Sequence, residues 1–489
     1  MKTLFLLMLT FFVLPAFSQI TFEKKYGTWK DEHPEAMLQT ADGGYIMAGT
    51  QSESGLNPDG YIVRVNEFGD TLWTRTYART WSSGLYSIAE SGDGFIATGF
   101  NTVTLGPARS DLYLLKINQQ GDTLWSKHYG GSRDESGQEI KPTSDGGFIV
   151  AGRYDEAYNT TSFYLLKIDT QGDTLWTRKY GLGTGYRAFA RAVEQTDDGG
   201  YMIAGYVAEY ISDYEDVYMV KTDSLGMMEW SSLYNWSNYD IAYDMQEIAD
   251  GYVLVGLTHY QGEGRWNVFL YKTNSSGDSL WLKTYGDSLD DRGYAVKQTT
   301  DNGFIIAAWT SSWGAGSFDY YLIKTDSDGD TLWTRLFGGN SHEYAYDVIQ
   351  TQDGGYAIAG ASFSQSAGWG DYYLVKTDGN GYLPILSQQH IPVIEDFQLY
   401  QNYPNPFNPA TAISWQLAVG SWVKLSIYNL VGQRMAVLVN EKQAAGYHSI
   451  DFDASHLASG VYFYRLEVSD LLTDSRQSYV MTRKMLIVK

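Results

Sequence analysis

Apolar and polar residues alternate in short runs along most of the chain, and the same order of runs keeps returning. Between residues 139 and 181 the text reads EIKPT, SDGG, FIVAG, a longer connection, YLLKI, DTQG and DTLWTRKYG. Period-2 alternation and β-rich composition predict four strands here, the first joined to the second and the third to the fourth by tight turns. Both turns are chemically explicit. Asp-Gly-Gly supplies the positive φ of a hairpin, and Asn or Asp followed by Gly suits a type I turn with a bulge. The last Gly of the first turn phrase falls at 44, 94, 147, 200, 251, 303 and 355, with spacings of 50, 53, 53, 51, 52 and 52. Repeats of this length signal arrays, solenoids or propellers.

The closing phrase GDTLW or a variant recurs at 69, 121, 172, 277 and 329, but after Gly381 no Trp strand follows. The missing strand stands at the other end, where FEKKYG at 22 to 27 matches WTRKYG at 176 to 181. An open solenoid needs no such exchange. A ring gains from it, because the first strand then completes the last sheet and leaves no free edge. The expected fold is all-β: a seven-bladed β-propeller of four-stranded blades over residues 19–383, closed by the N-terminal strand. Trp73, Trp125, Trp176, Trp230, Trp281 and Trp333, with Phe22 as seventh member, are expected to pack on the neighbouring blade. Arg64, Lys116, Lys167, Lys221, Lys272, Lys324 and Lys376 are expected to pair with the Asp residues of the turns.

Composition narrows the function classes. The 489 residues carry a net charge of −22, which argues against nucleic acid and anionic membrane surfaces as partners. There is no Cys, so disulfides, thiolate metal sites and Cys nucleophiles are excluded. Residues 1–18, with Lys2, an apolar run from Leu4 to Leu14 and Ala16-Phe17-Ser18, read as a secretory signal peptide. No later segment approaches the ~20 apolar residues of a membrane helix, so a membrane-spanning protein is not expected.

The long second-to-third and fourth-to-first connections fall on one end of the predicted ring, where variable loops ordinarily bind. They hold Trp29, Trp81, Trp236, Trp266, Trp309, Trp313 and Trp369, candidates for stacking on sugars or gripping a peptide. The alternative is that these rings buttress the loops. Glu32, Glu135, Asp240, Asp291 and Glu343 recur at the entry to the first strands, and Asp59, Asp111, Asp216, Asp319 and Asp371 before the third. They are either a carboxylate ring for calcium or caps on backbone NH groups. No other cofactor is expected. His342-Glu343 has Tyr346 where a zinc-binding second His would stand, and DSDGD at 326–330 has Phe337 where a calcium loop needs Glu. No catalytic residue is assigned.

The phrase KIDTQGDTLW at 167–176 resembles the blade repeat of pyrroloquinoline-quinone-type propellers, a likeness of scaffold alone. After Gly381 the composition shifts, with five of the ten Pro between 384 and 409, which marks 384–396 as a linker and 397–489 as a second domain. Short alternating runs there predict a small β-sandwich. Tyr403, Pro404, Asn405, Pro406 and Phe407, then Gly460, Val461 and Tyr462, and finally Lys484 to Lys489, resemble the C-terminal sorting domain of type IX secretion substrates. That domain is similar to the immunoglobulin-like domain of flagellar hook-capping proteins. The resemblance implies a Gram-negative bacterium, the secretion machinery as partner, and a secreted or outer-surface location. The polar stretch Asp470 to Tyr479 departs from the pattern. The combined reading is a non-catalytic recognition protein whose long-loop face binds carbohydrate or a surface protein. The alternatives are a polysaccharide-acting enzyme using carboxylates on that face, or a structural surface protein.

Overall fold

The computed structural model describes residues 19–383 and 398–488, apart from short stretches at 54–56, 78–80, 105–108, 211–213, 260–265, 367, 403–404, 418–420, 444–445 and 471–477. The segments read as signal peptide and linker, together with Tyr403, Pro404 and Lys489, lie outside the described residues. Contacts divide the chain into two compact units, Met1–Pro384 and Ile385–Lys489. Among the described residues no helix is long and apolar enough to cross a membrane.

The first unit is built from antiparallel four-stranded meanders. Five are separate four-stranded sheets, and two more join into an eight-stranded sheet through a single parallel pairing of Thr161 with Arg187. This is the repeated-sheet architecture of a β-propeller. The second and third strands of each meander are covered on both faces, which explains their continuous apolar runs: every residue of Phe304–Thr310 and of Asp319–Thr325 is buried. A small residue within the second strand lets the first strand approach closely. A Cβ on Gly152 would lie 1.8 Å from the carbonyl oxygen of Ser136 in the adjacent first strand.

The repeated Trp phrase forms the joint between meanders. Each Trp ring lies against the turn glycine of the next meander: Trp73 on Gly121, Trp125 on Gly172, Trp176 on Gly226, Trp230 on Gly277, Trp281 on Gly329 and Trp333 on Gly381. These glycines have positive φ, 73° at Gly226, so the turn itself excludes a β-carbon as well. The Tyr four residues on completes the joint. Tyr77 donates to the Gly121 carbonyl and Tyr180 to that of Gly226, at 2.7 and 2.6 Å.

The last meander takes its outer strand from the chain start. Phe22–Tyr26 pairs antiparallel with Asp371–Thr377, Phe22 opposite Lys376. Phe22 then lies on Gly69 and Tyr26 donates to the Gly69 carbonyl at 2.7 Å, the contacts made elsewhere by Trp and Tyr. Met37 N donates to Asp347 Oδ2 at 2.8 Å, and Gln352 N to Gln39 Oε1 at 3.0 Å, so the first and last meanders are bonded neighbours.

The seven third-strand cations pair with the turn acids as expected. Arg64–Asp42 and Lys221–Asp198 close to 2.7 Å, Lys272–Asp250 to 2.8 Å, Lys167–Asp145 to 2.9 Å, and Lys116–Asp93, Lys324–Asp301 and Lys376–Asp353 to 3.0 Å. Burial pushes the Asp42, Asp145 and Asp198 carboxyls up, but hydrogen bonds from Thr40, Thr143 and Thr196 and from the paired cation outweigh it and hold them at about 2.

In the second unit a three-stranded and a four-stranded sheet bury one core that includes Trp415, Ile427, Tyr464 and Ile487. The motif residues singled out above converge on the last strand, Ser478–Ile487. Asn405 Oδ1 accepts from Leu486 N at 2.9 Å, Phe407 N donates to the Leu486 carbonyl at 3.0 Å, and Val488 N donates to that of Phe407 at 3.1 Å. Gly460, Val461 and Tyr462 pair with Ile487, Leu486 and Met485, and Lys484 with Phe463. Two separated stretches of sequence thus secure the strand Ser478–Ile487.

Candidate binding site

The first strands of the meanders are Asp31–Gln39, Ser83–Ser91, Glu135–Pro142, Tyr186–Gln195, Asp240–Ile248, Asp291–Gln298 and Glu343–Gln350. Each slips register by one residue against its partner strand. The extra residues are Glu35, Tyr86, Gln138, Arg191, Tyr243, Tyr294 and Tyr346. A bulge re-aims a side chain and bends the strand. Here all seven side chains line the two cavities enclosed by the first strands. They form a ring between an upper chamber of about 450 Å³ and a lower one of about 440 Å³.

The lower chamber lies beside the Asp-Gly-Gly turns, with Gln39, Glu90, Pro142 and Ile349 in its wall. Asp244 and Glu139 in its wall bind one meander to the next. Asp244 Oδ2 accepts from Val296 N at 2.9 Å and from Lys297 at 2.8 Å; Glu139 accepts from Val193 N at 2.6 Å and from Lys141 at 2.9 Å. Ser87 serves Ile140 N in the same way at 3.3 Å.

The upper chamber opens toward the long connections, since its other lining comes from strand ends leading there: Ser136, Arg153, Phe189 and Tyr206. Half of its lining residues are aromatic. Tyr243 and Tyr294 stack with centroids 4.6 Å apart, Tyr294 meets Tyr346 edge-on at 5.2 Å, and Phe189 stacks on Tyr206 at 4.9 Å. Arg191 is bonded to Gln138 Oε1 at 2.9 Å and lies over Tyr206 and Tyr243. Glu35 is the one carboxylic acid among the lining residues. Burial lifts its carboxyl to about 7 against the opposing charge of Arg191.

A raised carboxyl has a defined consequence for stability. The folded form holds its proton up to pH of about 7, the unfolded chain only to 4.5, so Glu35 stabilises the fold below pH 4.5 and loses that contribution as pH rises through 7. Glu35→Gln is therefore expected to be neutral at pH 4 and to raise unfolding free energy by up to about 3 kcal/mol at pH 8. Urea titrations of both proteins at the two pH values check this; an equal effect at both would refute it.

The candidates named from sequence divide by burial. Trp309, 5% exposed, packs edge-on against Phe318 and Tyr344, at 4.7 and 5.6 Å. Trp236 packs on Tyr271 and Phe269, at 4.5 and 5.4 Å, and buttresses its connection, whereas Trp309 belongs to the buried strand Phe304–Thr310 and not to a loop. Trp266 is partly buried beneath Arg292, whose guanidinium lies 4.1 Å from it and 4.9 Å from Trp309. Trp313 and Trp81 are half-exposed, the former against Tyr321. Trp29 and Trp369 are 63% and 75% exposed and lie on segments joined by a bond from Trp369 N to the Lys30 carbonyl. The seven are distributed over several meanders and are not gathered into one patch.

The acidic candidates are each buried at the head of a first strand. Glu32 accepts from Gln51 at 2.8 Å, Glu135 from Gly131 N at 3.3 Å, Asp240 from Trp236 N at 2.7 Å, Asp291 from Asp287 N at 3.0 Å and Glu343 from Gly339 N at 2.8 Å. Backbone capping thus engages four of the five. Among the described residues no group of three His, Asp or Glu is placed to hold a metal ion.

Sequence reading missed the bulge ring, because a bulge shows only in the pairing register. One signal was present. Eight or nine residues before each turn glycine stands a large residue, Tyr in four of the seven repeats, preceded in most of them by a small one.

Residues 401–480 match the family described as secretion system C-terminal sorting domain. The chain carries the tail that directs type IX secretion, and the protein is exported to the cell surface or beyond. No curated protein matches the chain. Similar solved structures include the β-propeller domain of the Trilobed protease from Pyrococcus furiosus, 11% identical, covering 75% of this chain and 100% of that one with a TM-score of 0.37. YCF48 bound to D1 peptide is 12% identical, covering 74% and 96%, with a TM-score of 0.44. Puromycin hydrolase is 10% identical, covering 81% and 62%, with a TM-score of 0.46.

Proposed function

We propose that this exported chain presents residues 19–383 as a seven-bladed propeller acting as a recognition module, joined by the linker 384–396 to an immunoglobulin-like sorting sandwich at 397–489. Its binding site is the upper chamber, and its ligand is a carbohydrate. The observation that carries this reading is the ring of bulge residues, which sets tyrosine rings around a cavity of about 450 Å³. That volume falls within the range of small-ligand pockets. Flat rings on rigid strands offer apolar faces at low entropic cost, with phenol OH groups at the edge.

Two features favour binding over hydrolysis. Glycoside cleavage uses two carboxyl groups flanking one bond, and the chamber lining has Glu35 alone. In the lower chamber Glu139 and Asp244 are engaged by lysines and backbone NH groups, and Asp347 by Met37 N. The exposed Trp29 and Trp369 form a separate feature of the rim.

Glycan-array binding by the full chain tests the reading. Replacing both Tyr294 and Tyr346 by Ala is expected to weaken retention of whatever glycan binds by about tenfold, since each ring contact contributes about 0.5–1.5 kcal/mol. Unfolding curves for the variant verify that it remains folded. Unchanged retention would move the site elsewhere, and new reducing ends in the bound glycan would make the protein an enzyme.

A further inference from the structure

From Arg191 in the chamber wall, and Arg292 on the strand that carries the lining residue Tyr294, neither of them in an ion pair among the described residues, we infer that the upper chamber selects saccharides bearing carboxylates, that is, uronic-acid oligosaccharides. This rests on the recognition reading above and specifies its ligand. In a chain of net charge −22, where acids outnumber bases 57 to 35, Arg191 lines the chamber without an ion pair among the described residues. Arg153 in the same wall is paired: it holds Asp155 through Nε at 2.6 Å and a terminal nitrogen at 2.8 Å. Arg191 and Arg292 have no ion pair among the described residues, and each leaves its buried Nε without an acceptor.

Both are placed by aromatic rings. Arg292 is clasped between Trp266 and Trp309, two positions before the bulge residue Tyr294 on the same strand. Arg191 is itself a bulge residue, set over Tyr206 and Tyr243. A guanidinium stacked on rings keeps its in-plane NH groups free for a planar anion, and carboxylate fits that fork. Alternate rings and guanidinium groups match a chain of sugars in which apolar ring faces alternate with acid groups. The one negative group of the chamber, Glu35, is partly discharged near neutrality because burial lifts its carboxyl to about 7. A peptide adding as a strand is disfavoured: the first-strand NH groups of Met37, Ile140, Val193 and Val296 are already bonded to neighbouring side chains.

The test uses the full chain with hexamers of galacturonate, mannuronate and guluronate and with hyaluronan oligosaccharides, each beside its carboxyl-reduced counterpart, and poly-glutamate as a non-sugar polyanion. At least one uronate is expected to bind tenfold or more tighter than its reduced form. Arg191→Gln and Arg292→Gln are each expected to weaken binding of the uronate far more than that of its reduced form, so that most of that ratio is lost. Equal binding of acidic and reduced forms would overturn the inference and leave carbohydrate recognition standing. Binding of poly-glutamate in place of the sugars would overturn both in favour of an acidic protein partner. Retention of none of the probes overturns the uronate assignment, and the neutral glycans of the array then decide the recognition reading separately. Since the first comparison uses the unaltered protein, a misfolded variant would not leave the inference unexamined.

Discussion

A chain that begins at residue 28 is expected to melt at least about 10 °C below the full-length protein and over a broader range. Removing Phe22–Tyr26 leaves Asp371–Thr377 as an open edge with its backbone groups unpaired along one side. It also vacates the seat on Gly69, where Phe22 lies, and removes the bond from Tyr26 to the Gly69 carbonyl. Losing a large packed ring alone costs about 3–5 kcal/mol, and each hydrogen bond a further 0.5–1.5 kcal/mol or so. The damage falls on a joint between the first and last meanders. An open array would feel it at one end only, whereas a ring loses the strand that completes its last sheet. Calorimetry decides between them: an unchanged midpoint would show that the N-terminal strand is dispensable and that the closed-ring reading is wrong.

The second large effect concerns an interior joint. A Cβ at Gly226 would sit 2.7 Å from the Trp176 ring, and φ there is 73°. Gly226→Ala therefore carries two costs, about 1 kcal/mol for the left-handed conformation and about 1–3 kcal/mol for displacing the ring. Trp176→Ala alone costs about 3 kcal/mol, because the ring packs against Tyr201 and the core between two meanders. In the double variant the clash is gone, so the added cost of Gly226→Ala is expected to fall to the conformational part. The coupling is then about 1–3 kcal/mol in urea unfolding. Additive losses would mean that ring and turn do not share the space that the joint requires.

Much of this architecture was legible because its determinants are local. Asp-Gly-Gly and the Asn or Asp to Gly turns place their glycines where positive φ is needed, and one basic residue per third strand finds the acid of its own turn. The seat of the Trp was also readable, since a ring repeated about every 52 residues has one structural purpose in a repeat fold. The site was harder to read. The seven candidate tryptophans look equivalent in sequence, yet Trp309 and Trp236 are held in packing while Trp29 and Trp369 face solvent. Loop composition does not encode which neighbour arrives. Tyr86, Tyr243 and Tyr294 drew no notice, because within an alternating strand one tyrosine is like another until a register slip turns it inward.

By itself the sequence determined the all-β class, the repeat and its turns, the Trp joints and the export address, all of which depend on residues close in the chain or on a fixed period. Tertiary structure alone decided which side chains meet at the axis. Glu35 and Arg191 come from meanders three repeats apart, and they face one cavity only because seven bulged strands converge there. Alternation along a strand tells each side chain which face it takes; the convergence of strands tells it what lies opposite.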